Sequence, residues 1–241
     1  MLTNMSPRST IAAWNAHAEE WARWTRTPGH DYHYERLNLP QFLRLLPQPG
    51  RLTIDLACGE GRLGRVMADL GHSVVGVDSS PALVRLARDA GGYRDVLEAT
   101  ADSVPLPDGC ADLVTAFMGL HDMDDLAGAI DETARLLGPD GRLCLAVPHP
   151  FAEMARERPG APGYYTPHRY VDVVERDGVT MTFESWRRPL SAYTQALEQA
   201  GFVIEAMREP VPDETALAAA PALAKWCEQP LFLQVRALLL G

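Results

Sequence analysis

Thr53-Ile54-Asp55-Leu56-Ala57-Cys58-Gly59-Glu60-Gly61-Arg62-Leu63-Gly64 is the stretch on which the fold turns. It begins as a short apolar run, Leu52 to Ala57, interrupted by Asp55, and ends in a literal G-x-G-x-x-G. Glycine is needed where a backbone bends sharply and lies against a ligand, because a Cβ would clash. Leu63, Val66, Met67 and Leu70 follow at i, i+3, i+4 and i+7, with Gly71 as C-terminal cap, so a helix opens directly from the loop. Ser73 to Val77 then forms a second strand ending at Asp78, 17 residues after Gly61. A carboxylate at that strand end accepts two hydrogen bonds from a ribose diol, so a ligand containing adenosine is expected.

Working outward, Ser80-Pro81 caps and opens a helix through Ala90. Further strands are expected at Val96 to Thr100, Ala111 to Phe117 and Arg142 to Val147. A helix from about Asp124 to Leu137 should stop at Gly138-Pro139-Asp140-Gly141. Repeated βα units of this kind predict an α/β, Rossmann-like, mostly parallel sheet with helices on both faces. Upstream, Ser9 to Arg26 reads as a helix with Trp14, Trp21 and Trp24 near one face, either docked on the core or covering a site. Leu37 to Leu46 reads as a second short helix. Beyond Pro148 a Pro- and Gly-rich stretch leads to a hairpin, Tyr170 to Glu175 and Val179 to Trp186, turning at Asp177-Gly178. Ser191 to Ala200 is a helix, and Phe202 to Met207 and Leu231 to Leu239 are the last strands. One domain over 1–241 is expected: a helical lid (1–50), a ligand-binding core (51–149), an insertion over the strand ends (150–188) and a return to the core (189–241).

Charge narrows the ligand and the partners. The chain has 32 acidic against 22 basic residues, a net charge of −10, so phosphate backbones would be repelled on average. Asp55 and Glu60 lie where a dinucleotide's pyrophosphate would sit, which favours a ligand with a cationic amine and a sulfonium instead. Lys225, the sole lysine, follows Ala224 and stands four residues after Pro221, which excludes a G-x-x-x-x-G-K-[ST] loop and a Tyr-x-x-x-Lys pair. Cys58, Cys110, Cys144 and Cys227 form no C-x-x-C pair and read as thiols of a reducing cytosol. No membrane-length apolar run and no apolar signal core in the first twenty residues is present, so a cytoplasmic protein is expected. His30-Asp31-Tyr32-His33 lacks a third ligand at diagnostic spacing, and no metal is expected.

With these motifs in hand, the chain resembles the class I S-adenosylmethionine (SAM)-dependent methyltransferases of the small-molecule type. The likeness is good over Arg51 to Val147 and looser over Leu190 to Leu239. Besides the glycine loop, Val74-Val75-Gly76-Val77-Asp78-Ser79-Ser80 resembles that family's second motif. Ala101-Asp102-Ser103 with Leu106-Pro107-Asp108 resembles its adenine segment, and Leu120-His121-Asp122-Met123-Asp124-Asp125 its fourth-strand loop. The resemblance implies seven strands with the last antiparallel, and SAM as cofactor. It implies that Asp55, Gly59 and Gly61 hold the methionine end, Asp78 the ribose, and Asp102 with Ser103 the adenine, with Ser79 also among the cofactor-binding residues. Phe117, Met118 and His121 would lie beside the sulfonium, with Tyr34 closing over the methionine part. Asp122 stands where the family often has a second histidine.

Methyl transfer needs mainly in-line placement of the acceptor, and a base only where the acceptor is protonated. His149, just beyond the fifth strand, is the candidate base or substrate anchor, His121 a second, and Tyr165 a substrate contact from the insertion. No Asn/Asp-Pro-Pro-Tyr/Phe tetrapeptide follows strand four, which reads on as Met118-Gly119-Leu120, again against a nucleic-acid substrate. The expected activity is methyl transfer to a small molecule of specialised metabolism. The alternatives are intramolecular displacement at the sulfonium, releasing methylthioadenosine, and non-catalytic SAM binding.

Overall fold

A computed structural model describes residues 10–155, 160, 162–176 and 178–240, with backbone alone for 153–155. Helix α1 (Thr10–Arg26) leads through a π-helical turn (Tyr34–Asn38) to α2 (Leu39–Leu43). Then β1 (Thr53–Leu56), α3 (Arg62–Asp69), β2 (Val74–Asp78), α4 (Pro81–Ala90), β3 (Asp95–Glu98), β4 (Ala111–Phe117), α5 (Leu126–Leu136) and β5 (Leu137–Pro148) alternate. A short α6 (Pro150–Ala155) precedes the hairpin β6 (His168–Arg176) and β7 (Val179–Arg187). The chain closes with α7 (Leu190–Gln199), β8 (Phe202–Arg208), α8 (Glu214–Ala219), a 3-10 turn (Pro221–Cys227) and β9 (Phe232–Leu239).

Seven strands form one sheet in the order β3-β2-β1-β4-β5-β9-β8, with β9 antiparallel to both neighbours and β1 to β5 parallel. The parallel part is what the βα alternation leads one to expect, and seven strands with the last antiparallel is what the family resemblance implies. Strands β1 and β2 are buried along their whole length because helices cover both faces. Alternation in β4 divides the core: Val114 and Ala116 pack with Ile54, Leu56, Ile130 and Leu143, while Leu113 and Phe117 pack with Phe42, Leu63 and Met67. Strand order reverses between β1 and β4, so their carboxyl ends diverge into a crevice.

Local chemistry explains the helix starts. The Ser80 hydroxyl accepts from Leu83 N–H with Pro81 at the first helical position, and the Asp125 carboxylate accepts from Gly128 N–H. Three elements differ from expectation. The helix expected over Leu37–Leu46 begins earlier, as a π turn in which Leu39 N–H reaches Tyr34 O, because Pro40 has no N–H to continue an α ladder. Helix α5 ends at Leu136, just before Gly138-Pro139-Asp140-Gly141 as expected, but the fifth strand begins at Leu137 and not at Arg142. These four residues therefore lie within β5, with Asp140 at φ 60° and a register shift where β5 meets Ala111. Residues 210–230, left without elements by the sequence reading, carry α8, capped by Asp213, and the 3-10 turn. The hairpin is present as expected; its turn residue Asp177 lies outside the described residues.

The hairpin pairs with no strand of the main sheet and packs on α1, which in turn packs on α4. Trp14, Trp21 and Phe183 of β7 form an edge-to-face triangle with centroids 5.5, 6.3 and 6.0 Å apart. Trp24 leaves the face expected for it and packs instead on His30 and under the Arg176 guanidinium. Among the described residues no helix is long and apolar enough to cross a membrane.

Candidate functional site

The crevice between β1 and β4 holds a cavity of about 270 Å³, roofed by Trp14 and Trp21 of α1. Its floor is the glycine loop. Gly59 (φ 59°) and Gly61 (φ 90°) are left-handed, and Gly61 N–H closes the turn on Cys58 O at 3.0 Å. A Cβ on Gly59 would point at the Trp21 indole nitrogen, 3.7 Å away, and so into the cavity. The third glycine has another task. A Cβ on Gly64 would lie 2.0 Å from Tyr93 Cζ, so this glycine makes room for a side chain and not for a ligand.

Two buried carboxylates frame the loop. Asp78 accepts from Gly59 N–H and Ser80 N–H, both at 2.9 Å, so the acid at the end of β2 also braces the glycine turn. Asp55 accepts from the Tyr93 hydroxyl at 2.7 Å and the Thr115 hydroxyl at 3.0 Å. Burial pushes each carboxyl up to about 6, partly offset by these hydrogen bonds, and the charge of Asp78 adds to the rise at Asp55.

Glu60 behaves differently from the expectation. Its buried carboxylate is neutralised by Arg26 (Nη2 2.9 Å) and Arg65 (Nη2 3.0 Å), so the charge argument against a pyrophosphate rests on Asp55 and not on both acids. Arg62 places a cation on the same wall, 3.4 Å from the Tyr34 ring centroid and 5.0 Å from that of Trp21, paired with Asp31 at 2.6 Å.

Of the residues expected around a cofactor, Asp55, Gly59, Asp78, Ser79, Asp102, Phe117, Met118 and Tyr34 line the cavity. Gly61, Ser103 and His121 do not, although Gly61 shapes the turn beneath it. Met118 is held at φ 61° with its N–H on Ala146 O, a left-handed kink that ends β4 at the crevice. The loop beyond it is tied to the hairpin. Ser185 donates to Asp122, Trp186 Nε1 to Asp124 at 2.9 Å, and Trp186 N–H to His121 O at 3.0 Å.

The three candidates for chemistry lie elsewhere. His121 is buried beside Asp122, Nε2 to Oδ1 3.3 Å. His149 is only 2% exposed; Phe151 N–H donates to its Nδ1 at 3.2 Å and Glu209 meets its Nε2 at 2.9 Å. A neutral ring with its proton on Nε2 satisfies both contacts, and burial holds its pKa below the usual histidine range against the pull of Glu209. Tyr165 is 83% exposed, at the end of a ring stack running from His149 through Phe151 and Tyr164. None of the three lines the cavity. The sequence reading passed over Arg62, Thr10, Ile11 and Tyr93. Arg62 was visible as the residue after the second loop glycine, whereas Tyr93, in an irregular link between α4 and β3, carried no local signal.

A Rossmann-like sheet with an acid-framed glycine turn at its switch point defines a nucleoside-binding α/β protein. Residues 54–145 match the family described as methyltransferase domain. A methyltransferase of Mycobacterium tuberculosis is 30% identical over 160 residues, 54% of this chain and 65% of that protein. A ubiquinone/menaquinone biosynthesis C-methyltransferase of Caulobacter vibrioides is 29% identical over 177 residues, 66% of this chain and 70% of that one. An S-adenosylmethionine-dependent methyltransferase from Mesorhizobium loti superposes with a TM-score of 0.65 at 26% identity, covering 83% of this chain and 96% of that one. The chain thus spans 65% of the length of the mycobacterial relative. Residues 54–145 therefore carry a methyltransferase domain, and fold and loop are those of the class I SAM-dependent methyltransferases, whose cofactor is SAM.

Proposed function

We propose that this protein transfers a methyl group from SAM to a small-molecule acceptor in the cytoplasm. The observation that carries the reading is the joint placement of Asp55 and Asp78 on one cavity wall, the second braced on the glycine turn. The residues fit the cofactor: a Cβ at Gly59 would enter the space, and the polar groups match its charge. Asp55 would hold the ammonium group, Asp78 with Ser79 the ribose diol, and Asp102 the adenine amine, with Leu83, Ala99 and Ala101 as apolar walls. Bound SAM supplies a methyl group on a sulfonium that is already a good leaving group. Phe117 and Met118 would flank the reacting end, and Trp14 and Trp21 would exclude water from above.

The segments 1–50 and 150–188 would act together as the cover of the 51–149 core, leaving space for a small acceptor and not for a macromolecule. Tyr34, Phe117 and Trp21 favour an apolar or aromatic one. The relatives described as quinone C-methyltransferases make a planar quinol ring the first class to try. With His149 and His121 turned to other partners, the acceptor is expected to bring its own ionised nucleophile, such as a phenolate.

Calorimetric titration with S-adenosylhomocysteine, followed by incubation with SAM and a panel of quinols and phenols, tests this. Release of S-adenosylhomocysteine dependent on acceptor supports it. Absence of binding at millimolar ligand overturns it, and release of methylthioadenosine replaces it with the ring-closing alternative.

A further inference from the structure

We infer that Tyr93 is a positioning residue of the cofactor site, holding the Asp55 carboxylate through its hydroxyl and propping the glycine loop with its ring. The inference rests on the proposed SAM site and deepens it.

The geometry carries the argument. Tyr93 comes from the link between α4 and β3, outside all the motifs, yet three glycines of the two SAM-binding motifs give way to it. A Cβ would reach Tyr93 ring carbons at 2.0 Å from Gly64, at 2.9 Å from Gly61 and at 2.9 Å from Gly76. Such contacts demand that something shift, and the ring is pinned by its hydroxyl on Asp55 at 2.7 Å. The small residues of the first two motifs therefore form a slot for one phenol. That phenol reaches from behind the loop to an acid on the cavity wall. Thr115 donates to the other Asp55 oxygen, so the carboxylate is clamped in one orientation from two sides. A clamped anion on the cavity wall is prepared for an ammonium group without reorganising when the ligand arrives.

The Tyr93 hydroxyl also favours the charged form of Asp55, and loss of that donor raises the carboxyl pKa further. An ammonium ligand prefers the carboxylate, so affinity is full at high pH and falls as the acid protonates. Without Tyr93's hydroxyl that fall begins at a higher pH. The titratable and charged groups around Asp55 are Asp78 on β2, Cys58 in the loop, Tyr34 on the π turn, Tyr93 itself, and Arg62 and the neutralised Glu60 on the same wall. Asp78 titrates in the same range but is common to all variants, so the displacement between variants belongs to Asp55.

The test is the pH dependence of S-adenosylhomocysteine affinity in wild type and Tyr93→Phe, from pH 5 to 9. The expected result is a midpoint near pH 6 in wild type and an upward displacement of about one pH unit in the variant, with affinities converging within about threefold at pH 9. A uniform loss at every pH with an unmoved midpoint overturns the inference, because a ring that only fills space has no proton linkage. If Tyr93→Phe does not fold, 3-fluorotyrosine installed at position 93 keeps the shape and strengthens the donor. The midpoint must then move down, and an unmoved one overturns the inference. Wild-type protein that binds no S-adenosylhomocysteine sinks the SAM reading itself; binding with unmoved midpoints sinks only the role of Tyr93.

Discussion

The floor and the roof of the cavity are built by different means. The floor is backbone work: left-handed glycines, two strand ends and a carboxylate braced on amide hydrogens within the first four strands. Among the described residues the roof, α1 with the β6–β7 hairpin, makes no strand pairing with the main sheet and is fastened mainly by side chains, beside the backbone bond from Trp186 N–H to His121 O. Those fasteners are the tryptophan–phenylalanine triangle, Arg26 on Glu60, Asn15 on Ser80 and Ala82, and Trp186 on Asp124. The contrast teaches where change is tolerated. Backbone geometry admits few replacements, whereas a side-chain roof can be retailored to another acceptor while the cofactor seat stays intact.

The contrast is sharpest at Asp78. Asp78→Ala removes both the proposed ribose acceptor and the brace on Gly59, and S-adenosylhomocysteine affinity should drop by about 100-fold, ~3 kcal/mol, in a calorimetric titration. A drop of threefold or less would mean that the floor is not organised around this acid. On the roof, Trp21→Ala should weaken affinity by only about tenfold, the loss appearing mainly as faster dissociation in stopped-flow fluorescence. An effect as large as that of Asp78 would erase the distinction between the two halves.

Asp55 gives a test on stability. Its folded pKa lies above the unfolded one, so the ionised group opposes folding; its contribution is fully favourable below about pH 4 and is lost as pH rises through about 6. Asp55→Asn should therefore raise the melting temperature of the ligand-free protein at pH 8 by about 4 °C or more while lowering affinity for the cofactor. An unchanged melting temperature at pH 8 would show that burial does not burden this carboxylate. The smallest effect belongs to Tyr165→Phe, which should leave S-adenosylhomocysteine affinity unchanged within about twofold, because the ring stands in solvent away from the cavity.

The same division governs what could be read from the sequence. Asp55, Gly59 and Asp78 announce themselves because each belongs to a short motif whose spacing is dictated by a strand, a turn and a helix start. Trp14 and Trp21 were recognisable as a pair by helical spacing, but which surface they roof depends on contacts with Phe183, 162 and more residues away. His149 sits at the strand end where ligands gather, yet Glu209 and Phe151 claim both its nitrogens, a fact no local pattern encodes. Glu60 looked like a free charge until Arg26 and Arg65 folded onto it. In each of these cases at least one deciding partner, Phe183, Glu209 or Arg26, comes from a distant part of the chain.

Helix α1 is latched at both ends of the cavity, by Arg26 on the buried Glu60 beside the glycine turn and by Thr10 on Asp124 at the opposite rim. A nucleoside bound beneath it, as proposed, would leave only as these latches and the Asn15 contacts to Ser80 and Ala82 open, so spent cofactor would exchange at the tempo of a helix lifting. The interval between successive turnovers would then be a property of the side-chain contacts of α1, far from any bond that is made or broken.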